Sequence, residues 1–119
     1  MGYIQLEDSY EDIKGATLDT LNRNKDRYNL PINQAVAYFM HESEGIFEEN
    51  EFEKTVTLIP VGIFLTENKY KHKILKDVEN AIKDIESNKY DNLFLNTEDK
   101  NQIEKDIQLI KDNIEALTN

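Results

Sequence analysis

A chain of 119 residues and 13.9 kDa has the length of one domain, and its 39% hydrophobic content can support one core that needs no staples. Acids outnumber bases, 24 to 14, for a net charge of −10. Such a surface repels nucleic-acid phosphates and anionic membranes and attracts basic partners, although charge alone favours simple solubility, which needs no partner.

With no cysteine, disulfides, thiolate catalysis and cysteine-ligated zinc or iron–sulfur centres are excluded. The start, Met1 to Asp8, lacks the basic and long apolar regions of a secretion signal. The most apolar run, Val56 to Leu65, is too short to span a bilayer and contains Thr57 and Pro60. A soluble, cytoplasmic protein is expected.

The first helix is predicted over about Tyr3 to Asn24. Tyr3, Leu6, Tyr10, Ile13, Ala16, Leu18 and Leu21 supply an apolar stripe. Ser9 with Asp12 three residues on resembles a start signal. Glu7, Asp8, Glu11 and Asp12 early, and Arg23, Lys25 and Arg27 late, suit the helix dipole. Asn29-Leu30-Pro31 breaks the chain. A second helix follows over Ile32 to Glu49, with Ile32, Ala35, Val36, Phe39, Met40, Ile46 and Phe47 as its apolar positions and Gly45 as a bend or an end.

The third segment, Glu51 to Asn68, is rich in β-branched residues over 55–65 and reads as either strand or helix. Two arguments favour helix. Phe52, Val56, Ile59 and Ile63 fall on one helical face, and no other segment offers a strand partner. Pro60 then kinks this central, buried helix. A fourth helix is expected over Tyr70 to Ser87, with Lys69, Lys71, Lys73 and Lys76 forming a basic patch at its start. Asn88 to Leu95 is a connection whose Tyr90, Leu93, Phe94 and Leu95 pack back on the core. The last helix runs from Thr97 or Glu98 to Leu117, capped by Asn96 or Thr97. Its seam is Ile103, Ile107, Ile110, Ile114 and Leu117. The predicted fold is all-α: a single-domain compact bundle of about five helices around a central apolar helix at 52–66.

No catalytic set emerges. His41 and His72 stand in no recognisable motif, Ser9, Ser43 and Ser87 have no elbow turn, and the glycines form no phosphate loop. His41, Glu44 and Glu48 share a helix face and are the best candidate for metal ligation, but they do not form His-Glu-x-x-His and have no second such motif to complete a di-metal site. No cofactor, metal or enzymatic activity is predicted. What stands out is acid density. Glu42, Glu44, Glu48, Glu49, Glu51 and Glu53 lie together with no base before Lys54. Glu44 and Glu48 repel each other at helical spacing. The first five are the candidate partner-binding residues, read against the alternative of a solvated face. Tyr38, Phe47 and Tyr10 are candidate aromatic anchors, with core packing as the competing role.

Tyr3-x-x-Leu6, Ala35-x-x-x-Phe39-x-x-Glu42-x-Glu44 and Phe52-Glu53-Lys54-Thr55-Val56 together resemble the small immunity proteins of bacterial polymorphic toxin and contact-dependent inhibition systems, most of all the mostly helical immunity family three. The resemblance implies a cytoplasmic antidote that binds a cognate toxin domain and covers its active site or docks beside it. It also implies a toxin, often a nuclease, with a basic surface. Neither nucleic acid nor membrane is an expected partner, and the oligomeric state is left open. Two rivals are carried: a helical adaptor that oligomerises through its C-terminal seam, and a metal-dependent carboxylate enzyme built on His41 and Glu44.

Overall fold

Every residue from Thr55 to Leu65 is buried. A helix apolar on all sides has to be surrounded, and the chain is arranged around that need. The computed structural model describes residues 8–94 and 96–118. Its elements are α1 (Tyr10–Asp26), α2 (Ile32–Glu42), α3 (Glu44–Glu49), α4 (Glu51–Glu67), α5 (Leu75–Glu86), a 3-10 turn (Asp91–Leu93) and α6 (Thr97–Thr118). Among the described residues there is no strand, so the fold is the all-α bundle expected. No helix among them is long and apolar enough to cross a membrane.

The ambiguous third segment is helix. Asn50 caps α4 by accepting the Glu53 N–H at 3.1 Å. The helix continues through Pro60 to Glu67. α4 packs against α1, α3, α5 and α6, and this enclosure outweighs the β preference of its side chains.

Helix ends differ from the sequence reading in three places. The described part of the first helix begins at Tyr10, where the Ser9 hydroxyl accepts the Asp12 N–H at 3.2 Å; Tyr3 and Leu6 lie outside the described residues. On this helix Thr17 and Asn24 share the buried face, whereas Ala16 is exposed. The buried Asn24 amide donates to the Ala35 carbonyl at 3.2 Å, which ties α1 to α2. The expected helix over Ile32 to Glu49 is two helices, broken at Ser43 and not at Gly45. The fourth helix starts at Leu75, not Tyr70. After α4, Lys69 adopts a left-handed conformation at φ 51°, and the Tyr70 N–H returns to the Leu65 carbonyl. This is a Schellman-type stop. Lys69, Lys71 and Lys73 therefore lie on a connection, and Lys76 alone of the four is helical.

The C-terminal helix is capped by Asn96, which accepts the Asp99 N–H at 2.8 Å. Its seam turns inward: Ile103, Ile107, Ile110 and Leu117 are all core residues. A buried polar tie joins α6 to α1. The Tyr10 hydroxyl donates to Asp106 Oδ2 at 2.6 Å, and Lys14 Nζ lies 3.0 Å from the same oxygen. Burial, reinforced by that hydrogen bond and by the Asp106 charge, pushes the Tyr10 pKa far up, so its proton stays available to donate. Tyr90 and Phe94 close the bottom of the core around Phe52, with ring centroids at 4.8 and 5.2 Å. Leu95 lies outside the described residues.

Gly62 marks the closest approach of α5 and α6 to α4. A Cβ there would sit 2.7 Å from Val78 Cγ1 and 3.0 Å from Ile110 Cδ1. Gly15, exposed on α1, has nothing within 4 Å of such an atom. Gly15→Ala should raise stability by roughly 0.5–1 kcal/mol through helix propensity alone. Gly62→Ala gains the same propensity but overpacks a stiff β-branched neighbour, and should lose a net ~1 kcal/mol. Urea unfolding of the two variants checks both signs.

His72 pins the start of α5 near the start of α2. Its Nδ1 accepts the Ile74 N–H at 3.0 Å, and the ring lies beside the Asn33 backbone. Burial lowers its pKa below 6.5; the Asn33 backbone pulls the other way, and the Lys73 charge adds to the lowering. The unfolded chain therefore binds this proton first. The stabilisation is complete above pH 6.5 and is lost as pH falls below it. His72→Asn keeps an acceptor but cannot titrate, so it should lose less stability on acidification than the wild type when both are melted on either side of that pH.

Candidate interaction face

The glutamate-rich stretch is divided by two turns. Ser43 ends α2 with φ −90° and ψ −3° and starts α3, while Asn50, at φ −135° and ψ 93°, redirects the chain into α4. The end of α2, the single short helix α3 and the start of α4 thus meet around one open groove of about 630 Å³. Met40 and Phe47 contribute its apolar lining, and His41, Glu44, Glu48, Glu51 and Lys54 its polar one.

Three of the five candidate glutamates, Glu44, Glu48 and Glu51, converge on the groove. Glu42 and Glu49 are exposed on the same helices but do not line it. Among the described residues none of the five forms a salt bridge with a lysine or arginine; His41 Nδ1 lies 3.8 Å from Glu44 Oε2. The groove therefore gathers three carboxylates against one lysine, Lys54, over an apolar lining. No group of three or more metal-ligating side chains stands close enough to hold a metal ion among the described residues.

The three candidate anchors divide between the surface and the core. Tyr38 is 50% exposed and stays on the surface. Phe47 is buried, as is Tyr10, which is engaged in the tie to Asp106. Ile46, expected on the apolar stripe, is instead 55% exposed. The break at Ser43 explains this, because it resets the helical phase, turning Phe47 inward and Ile46 out. Ile46 also borders a second, shallower crevice of about 220 Å³, lined by Ile13, Ala16, Phe39 and Phe47 together with Asp8 and Asp12 of the α1 end. An exposed apolar side chain between two acidic-rimmed depressions could be found only once the break was known.

In comparisons with known proteins, no family model, curated protein or solved structure matches this chain.

If Ile46 belongs to the surface and Phe47 to the core, alanine substitution separates them. Ile46→Ala should change stability by no more than ~0.5 kcal/mol, and Phe47→Ala should cost about 3–5 kcal/mol. Chemical denaturation measures both.

Proposed function

We propose that this chain is an immunity-type antidote, a cytoplasmic protein that neutralises a cognate bacterial toxin domain by stoichiometric contact and catalyses nothing itself. The observation that carries this reading is the groove between α2, α3 and α4. Glu44, Glu48 and Glu51 meet there with no lysine or arginine bridged to them among the described residues, over Met40 and Phe47, with Tyr38 and Ile46 exposed on the same helices. Such a face fits a lysine or arginine of the toxin: the aliphatic stem lies on the apolar floor and the charged head among the carboxylates. The exposed Tyr38 and Ile46 supply apolar contact area. Glu42 and Glu49 extend the negative field and speed the encounter. A nuclease toxin, whose substrate is itself a polyanion, presents the matching basic surface.

The adaptor reading needs the C-terminal seam as an interface, and Ile103 and Ile110 are fully buried within the same molecule; we therefore prefer the antidote.

The test pairs the chain with the toxin domain encoded beside it. Co-expression should restore growth, and the purified pair should form a one-to-one complex. Glu44→Lys with Glu48→Lys should slow association about tenfold or more at low salt, the gap closing as salt rises. Undiminished toxicity with the wild-type chain sinks the antidote reading. An unchanged association rate in the double variant removes the groove as the interface.

A further inference from the structure

The bulk charge of this protein is not evenly spread. Lys25 Nζ contacts Asn68 Oδ1 at 3.3 Å, which seats the end of α1 on the end of α4. His72, just ahead of α5, lies beside the Asn33 backbone at the start of α2. The end of α1 with the turn after it, residues 23–31, and the end of α4 with the connection to and start of α5, residues 67–77, are thereby gathered at one pole of the bundle. They carry Arg23, Lys25, Arg27, Lys69, Lys71, Lys73 and Lys76, half of all the bases, against three acids, Asp26, Glu67 and Asp77. In a chain of net charge −10, this pole has a net charge of +4.

Six of those seven bases, all but Lys25, form no salt bridge among the described residues, although acids are abundant. All six are exposed. They alternate with aromatic rings. Tyr28, next to Arg27, is 57% exposed. Tyr70 and His72 are half-buried between Lys69, Lys71 and Lys73, their rings 6.3 Å apart. Lys69 holds a left-handed backbone that a glycine or asparagine would adopt at lower cost. The pole lies at the far end of α1 and α4 from the glutamate groove. The 17 residues of α1 set that separation at about 25 Å, roughly three Debye lengths at physiological salt, so each end acts on its own neighbourhood.

We propose that this pole binds a short single-stranded nucleic-acid segment. The unbridged lysines and arginines track the phosphates, and the exposed Tyr28 ring and the half-buried Tyr70 ring each offer a face on which a base can stack. Two features favour a strand over other polyanions. An acidic peptide would use the rings only as apolar contact area, whereas successive bases stack on them. An anionic membrane calls for exposed aliphatic side chains, and Ile74 and Leu75, at the start of α5, are buried. The inference does not depend on the glutamate groove.

The experiment is fluorescence anisotropy of the full chain with a labelled oligouridylate of about a dozen nucleotides. Binding is expected at low salt. Neutralising four phosphates predicts a loss of affinity of about 50-fold between about 50 and about 200 mM salt. Lys69→Glu, Lys71→Glu and Lys73→Glu together should weaken binding more than tenfold while leaving the helical circular dichroism intact. Tyr28→Ala should weaken it about fivefold or more. Parallel titrations use polyglutamate, duplex DNA and phosphatidylserine vesicles. No RNA binding at low salt overturns the proposal, as does binding unaffected by the triple variant. Equal binding of polyglutamate with no effect of Tyr28→Ala overturns it in favour of an acidic protein partner. Duplex bound as well as the single strand, or vesicles bound in place of RNA, overturns it too.

Discussion

Enclosure of α4 is the constraint from which the rest of the structure follows. From Thr55 to Leu65 no side of this helix faces water, so α1, α5 and α6 must cover it, and α3 its start. Fully burying one Val, Leu, Ile or Phe side chain is worth roughly 1.5–3 kcal/mol. A helix cap or a backbone preference is worth about 1 kcal/mol. Repeated along α4, burial decides the issue. It keeps a β-branched segment helical, tolerates Pro60 within it, and requires the missing side chain at Gly62 where Val78 and Ile110 approach.

Two polar groupings that this core encloses are paired across helices. The Tyr10–Asp106–Lys14 cluster ties the first helix to the last, and Asn24 ties α1 to the backbone of α2. A hydrogen bond to a charged group contributes about 1.5–3 kcal/mol, and losing one partner leaves the other stranded. These ties select which helix lies beside which, something apolar packing does only loosely.

The surface is organised by helix ends more than by helix faces. The turns at Ser43 and Asn50 bring carboxylates from three helices around one groove. The stops at Asn29 and Lys69, both left-handed, lie on the connections that carry much of the basic charge. Because α1 and α4 run the same way along the bundle, the two charge centres fall at opposite ends. A basic partner is then drawn to one end and turned away from the other, an orientational bias that a uniformly acidic surface lacks.

Much of this was legible in the sequence. Helical periodicity located the helices, and Ser9 and Asn96 stood where caps are needed. The inward seam of α6 and the apolar centre at 52–66 follow from hydrophobic spacing, because burial of apolar side chains is the dominant drive in folding and recurs at a regular period along a helix. The tertiary structure decided what depends on phase and proximity. The break fell at Ser43 and not at Gly45, since Phe47 had to reach the core, and this put Ile46 outside. The start of α5 moved to Leu75, since the stop at Lys69 is a local backbone arrangement without periodicity. Of the five glutamates read as one patch, only three meet at the groove. The joining of the bases of 23–31 to those of 67–77 has no sequence signature at all, because it rests on contacts between residues far apart along the chain, such as Lys25 with Asn68.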